Sequence, residues 1–126
     1  GTTGAQLILY QNSSSPADGD RIGALNFKGE DDAGNDHTYA GIRCLAADVS
    51  DASEDGTLTF STSRAGSFTE AARFDASGNL GIGKTSPTST LEVAKSDRDN
   101  GVTLTLTNTY SGSDWATGDN CWHNRF

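Results

Sequence analysis

Apolar residues along this chain recur at every second position and nowhere sustain the three-and-four spacing of a helix. Val102, Leu104 and Leu106 alternate with Thr103, Thr105 and Thr107, the pattern of a strand with one buried face. Residues 6–10, Gln-Leu-Ile-Leu-Tyr, are more continuously apolar, which suits burial on both sides or a subunit contact. Further short strands are expected over residues 22–27, 38–45, 57–61, 70–74, 80–82 and 91–93. Between them lie turn clusters at residues 13–16, 30–36 and 51–56, rich in Ser, Asp, Gly and Asn. The two helix candidates, residues 69–72 and 93–96, are each about one turn long, too short to hold alone. The expected fold is therefore all-β: short antiparallel strands in a β-sandwich or a β-prism-like repeat.

Composition limits what such strands can bury. Only 33% of the 126 residues are hydrophobic, there is no Met, and glycine numbers 15 against 2 prolines. An isolated chain of this kind builds a thin core, so help from partner subunits is expected. The net charge of −8 lacks the clustered Lys and Arg that a nucleic-acid backbone requires. No run approaches the ~20 apolar residues of a helical membrane span, so no membrane insertion is expected. Gly1-Thr2-Thr3-Gly4 lacks the basic start and apolar stretch of a signal peptide. The chain opens just before a strand pattern and stops at Phe126 within another, as an excerpt would. Cys44 and Cys121 are 77 residues apart with no C-x-x-C spacing, so neither a zinc knuckle nor a redox pair is indicated. Cys44 continues the alternation of Thr38, Ala40 and Ile42 and reads as a small buried hydrophobe.

The segment from Arg73 to Val93 supports two incompatible readings. Gly78 to Thr85 fits G-x-x-x-x-G-K-[ST], the phosphate-binding loop of nucleotide hydrolases. Such a loop needs a buried strand before it and a helix after it, whose N–H groups cradle the phosphates. Here Arg73, Asp75 and Ser77 interrupt the would-be buried strand. Ser86-Pro87-Thr88-Ser89-Thr90 compete with helical hydrogen bonding downstream. The match is read as accidental, and no cofactor is expected. As β-structure each residue has a role. Asp75-Ala76-Ser77-Gly78-Asn79 is a tight connection, with Gly78 or Asn79 at positive φ. Gly81 and Gly83 flank Ile82 so that the backbone passes close to a neighbour. Ser86-Pro87 ends the pairing.

A weak repeat runs through the chain. Leu7-Ile8-Leu9-Tyr10-Gln11-Asn12 followed by Gly19-Asp20 parallels Leu104-Thr105-Leu106-Thr107-Asn108 followed by Gly118-Asp119. A Phe stands seven residues after each Asp, at Phe27 and Phe126. The expected organisation is one β-rich repeat over residues 1–94, incomplete at its N-terminus, and the start of a second, truncated one over residues 95–126. Tandem units of this size suit a fibre shaft better than a free-standing enzyme.

The stretch Arg73-Phe74-Asp75-Ala76-Ser77-Gly78-Asn79-Leu80-Gly81-Ile82-Gly83-Lys84-Thr85-Ser86-Pro87, running on to Leu91-Glu92-Val93, resembles the phrase "RFDxSGNxGIGTTSPxxxLxV" of phage tail fibres, tail spikes and related appendages. Lys84 stands where that phrase has Thr, so the residue completing the nucleotide motif is the departure from the family. A looser resemblance covers Gly19-Asp20-Arg21-Ile22-Gly23-Ala24-Leu25-Asn26-Phe27, Asp31-Asp32-Ala33-Gly34-Asn35, Tyr39-Ala40-Gly41-Ile42, Asp55-Gly56-Thr57-Leu58-Thr59-Phe60 and Glu70-Ala71-Ala72-Arg73-Phe74. The resemblance implies a structural segment of a virion appendage, extracellular, most simply a homotrimer joined to adjoining fibre repeats and supporting attachment to the host. It supplies no catalytic residue.

Other clusters carry chemistry of their own. Asp31, Asp32, Asn35 and Asp36 around Gly34 offer oxygen ligands for Ca²⁺, but such clusters are also ordinary turn chemistry. Asp48, Asp51, Glu54 and Asp55 form a second acidic loop. His37 and His123 stand alone, without a nucleophile motif. Trp115, Trp122 and Tyr110 are candidates for stacking on a host-surface glycan, or for packing on the next repeat or chain. Two alternatives to the fibre segment follow. One is a bacterial cell-surface adhesin or carbohydrate-binding β-module. The other is part of a tail-spike polysaccharide depolymerase, which needs a groove with paired carboxylates.

Overall fold

The computed structural model describes residues 4–95, which form one six-stranded sheet and no helix. The strands are β1 (Arg21–Glu30), β2 (Asp36–Asp48), β3 (Asp55–Arg64), β4 (Ser67–Phe74), β5 (Leu80–Ile82) and β6 (Leu91–Val93). Their order in the sheet is their order in the chain. Pairing is antiparallel from β1 to β5, and β6 joins β5 in parallel. The all-β expectation holds, and the bounds of β5 and β6 are those expected. Residues 69–72, a helix candidate by sequence, lie within β4. Residues 6–10 are not a strand here: among the described residues they pair with no backbone, and Leu7, Ile8, Leu9 and Tyr10 are all exposed. A strand needs a partner, and the described part of this chain offers them none. Residues 102–107, Cys121 and nearly all of the expected second repeat at 95–126 lie outside the described residues.

Two of the hairpin connections are copies of one turn. In Asp31-Asp32-Ala33-Gly34-Asn35 the Asp31 carboxylate accepts the N–H groups of Ala33 and Asn35 at 2.9 and 2.8 Å. In Asp75-Ala76-Ser77-Gly78-Asn79 the Asp75 carboxylate accepts those of Ser77 and Asn79 at 2.9 and 2.8 Å. Both turns also close through the Asp N–H donating to the Asn carbonyl and the Gly N–H donating to the Asp carbonyl. Gly34 and Gly78 take φ of 80° and 78°, which glycine adopts without steric cost. The β3–β4 hairpin turns on Ala65-Gly66 alone, both at positive φ (48° and 78°), as a type I′ turn requires. Alanine is strained there. Ala65→Asn should therefore raise stability by about 0.5–1 kcal/mol, read from the denaturant midpoint.

The register sorts the side chains into two faces. Residues directly opposite across a sheet point the same way. One row therefore runs Leu25, Ile42, Phe60, Ala72, Ile82, Val93, and the next Gly23, Cys44, Leu58, Phe74, Leu80, Leu91. No charged residue stands in either row. The reverse face carries Arg43, Thr59, Arg73, Gly81 and Glu92 in one row and Asn26, Gly41, Ser61 and Glu70 in another.

A β-bulge keeps these faces consistent. Phe60 pairs with Ala72 but Ser61 pairs with Glu70, leaving Ala71 as the extra residue of β4. Glu70 and Arg73, three apart, would otherwise point to opposite faces. With the bulge they share one, and Arg73 donates to Glu70 through both Nε (2.6 Å) and a terminal nitrogen (2.7 Å). The extra residue is not left unsatisfied, since the Ala71 carbonyl accepts the Gly83 N–H at 2.9 Å.

Burial is inverted relative to an ordinary domain. The best-buried side chains are Thr57, Thr59 and Ser61 of β3, all pointing to the polar face, together with Ala46 and Pro87. On that face the Phe68 ring lies near Gly41, and the Arg43 guanidinium sits 4.4 Å from its centre. Among the described residues no large side chain is fully buried, and none of them covers the apolar face.

Candidate functional site

The segment that matched a phosphate loop is built as a β-crossover. Asp75 to Asn79 form the turn, Leu80–Ile82 is β5, and residues 83–90 carry the chain to β6 with no helix between. An eight-residue parallel connection is short, since such links usually need a dozen residues or more. Glycine makes it fit. A Cβ on Gly81 would overlap the Lys84 carbonyl oxygen and stand 3.4 Å from the Pro87 ring. One on Gly83, at φ 68°, would overlap the Ala94 carbonyl. Pro87 is buried by the same fold-back. The expected close backbone approach at these two glycines is thus observed.

Side chains then lash the crossover to the sheet. Glu92 accepts the Thr88 N–H at 2.8 Å and lies 3.2 Å from Lys84 Nζ. The bond from Thr88 and the Lys84 ammonium hold the Glu92 carboxyl below its ordinary pKa. Lys84 is therefore engaged in an ion pair across the crossover, and no helix N-terminus faces it.

The expected calcium ligands are not gathered into one set. Asp31 turns into its own loop, accepting from Ala33, from Asn35 and from His37 Nε2 at 3.1 Å. Asp36 accepts from Lys28 Nζ at 2.6 Å across the β1–β2 hairpin, while Asp32 stands exposed at the tip. Among the described residues no three His, Cys, Asp or Glu side chains are placed to share a metal ion. His37 lies at the start of β2, its ring edge toward Tyr39. In the second acidic loop Asp48 accepts the Ser50 N–H at 2.7 Å and Glu54 accepts that of Ala52 at 3.3 Å. These bonds serve the turn itself. Trp115, Trp122 and Tyr110 lie outside the described residues.

The turn carboxylates give the fold an acid-sensitive component. Bonds from the Asn35 backbone and side chain lower the Asp31 pKa to about 2, and the Asn79 backbone bond lowers that of Asp75. A carboxyl depressed in the folded state contributes stability above its unfolded pKa, about 3.9, and loses it as pH falls through the folded value. The melting temperature should accordingly be level above about pH 5 and fall between about pH 4 and pH 2. In the double variant Asp31→Asn and Asp75→Asn that slope should flatten, as followed by circular dichroism.

What remains is the apolar face. Leu25 (48%), Phe27 (53%), Phe74 (43%), Ile82 (43%) and Leu91 (53%) are substantially exposed on it. Near its β1 end a shallow depression of about 250 Å³ is lined by Leu9, Ile22, Leu25, Ile42, Cys44 and Leu58. Leu9 reaches it because Gly23 has no side chain; a Cβ there would come within 2.9 Å of the Leu9 Cβ. Cys44, expected to be buried, is only half-buried, because the layer that would cover it is not supplied by the described residues. Sequence reasoning foresaw sparse hydrophobic faces but not this segregation, which follows from the register. Among the described residues the arrangement offers a broad surface for packing and gathers no metal-ligating set. Compared with known proteins, the chain matches no family model and no curated protein.

Proposed function

We propose that this chain is a structural segment of a virion appendage, a phage tail fibre or spike, and that it works as a homotrimer. The observation that carries the reading is a sheet for which the described residues supply no covering layer, apolar on one open face and polar on the other. Exposed apolar patches of this kind mark interaction surfaces. Three copies about an axis would turn single sheets into a β-prism and cover the face from both sides. The fibre phrase adds support at the level of residues. Its Asp, Gly and Asn form the turn at Asp75–Asn79, its two later glycines admit the crossover, and its proline is buried beneath it. Each recurring letter thus has a mechanical task, as a repeated shaft element requires. Such a segment would hold a receptor-binding tip away from the particle, between adjoining repeats, in an extracellular setting.

Native mass by light scattering tests the reading, alongside resistance to SDS without boiling. A three-chain species that survives detergent is expected. A folded, detergent-sensitive monomer would overturn the trimer and favour the adhesin or carbohydrate-binding alternative.

A further inference from the structure

We propose that the apolar sheet face, and not the polar one, is the surface through which copies of this chain meet. The assignment rests on the reading of the chain as a subunit of a multimer. A second copy is the fitting occupant for three reasons.

The first is area. Large apolar side chains expose on the order of 200 Å² when free. Ile22, Leu25, Phe27, Leu58, Phe74, Ile82 and Leu91, exposed by 37–53%, then present roughly 600 Å² together. Leu9, exposed by 51% in the depression beside Gly23, brings this to roughly 700 Å². A specific interface buries about 600–1,000 Å² from each partner, so this face is large enough, and it exceeds the apolar patch of an ordinary monomer.

Charge is the second reason. The chain carries a net charge of −8, and copies of it repel. Close contact is least opposed where the surface bears no charge, and the two rows through Leu25 and Leu58 bear none. The opposite face has its ion pairs made within the chain, Glu70 with Arg73 and Glu92 with Lys84, so burying it would strip water from charges without a new partner.

The third reason is shape. The Gly83–Thr90 crossover stands over Gly81 on the polar side, preventing a flat approach there. The apolar side lacks such an obstruction at β5.

The experiment uses the full chain with Cys44→Ala and Cys121→Ser as background. One added cysteine, Thr62→Cys, lies on the apolar side, paired with Ala40; another, Lys28→Cys, lies on the polar side. Under mild oxidation the first is expected to give a covalent dimer at least ten times faster than the second at equal protein concentration. In parallel, Leu25→Glu should reduce the light-scattering mass to one chain while retaining the β-sheet circular dichroism. If Leu25→Glu does not fold, the cross-linking ratio decides. Preferential cross-linking of Lys28→Cys, or equal rates at both positions, in a parent that is still multimeric would overturn this face and leave the appendage reading standing. A parent that is monomeric, its face covered by its own chain such as residues 102–106, would overturn both.

Discussion

Gly81→Ala is expected to dismantle the β5–β6 crossover and cost about 2–4 kcal/mol, a fall of roughly 10–20 °C in melting temperature. The added Cβ falls on the Lys84 carbonyl oxygen, a backbone atom that cannot swing aside as a side chain can. Moving it would disturb the Lys84–Glu92 pair and lift Pro87 from its buried place. The contrast within one phrase makes the test sharp. Gly78 has φ of 78° but open space around its Cβ position, so Gly78→Asn should change stability by no more than about 0.5 kcal/mol. Differential scanning calorimetry on the two variants separates a steric demand from a conformational one. Equal losses would mean that the fold-back over Gly81 is not what fixes the crossover.

Deletion of Ala71 probes the bulge by a different route. Without the extra residue Glu70 and Arg73 stand two apart, so strict alternation keeps both on the polar face and retains their two-pronged bond. What is lost is the carbonyl that accepts the Gly83 N–H where the crossover begins. A donor left there without its partner costs about 1–3 kcal/mol. The expected result is a folded sheet with a lower urea midpoint and an intact cooperative transition. Ala71→Val, which retains the bulge and places its side chain in the open, should remain within about 0.5 kcal/mol of the parent. Comparing deletion with substitution by urea unfolding isolates the residue count from the side chain.

Much of this fold was legible in the chain, and the exceptions have physical causes. β5 and β6 emerged with their bounds because Gly and Pro punctuate a strict alternation on either side. β2 runs 13 residues, well past the expected end at Leu45, because Ala46, Ala47 and Asp48 carry no alternation to read. The bulge at Ala71 was invisible: an extra residue alters pairing, and nothing in Glu70-Ala71-Ala72-Arg73 marks which member is extra. The kinship of the two Asp-Gly-Asn turns was in plain sight. Asp31-x-x-Gly34-Asn35 and Asp75-x-x-Gly78-Asn79 share every structural letter, and both fall in expected turns, the first with calcium ligation as its alternative. Aligning them would have assigned the Asp31 carboxylate to its own loop. The open face could be anticipated only as a shortage of hydrophobic residues, since its segregation depends on the register of five strand pairs.

The identity of strand order and chain order also sets a clock. Every strand pair closes a short loop, from two residues at Ala65-Gly66 to eight at the crossover, so little chain entropy is lost before each contact forms. Hairpins of this kind form in about 1–10 μs, and the leaflet can grow in step with synthesis from its N-terminal strand onward. The meeting of copies proposed above is bimolecular and would follow concentration instead. Diluting the protein should thus slow appearance of the proposed multimer in proportion, while the rate at which each leaflet folds stays constant.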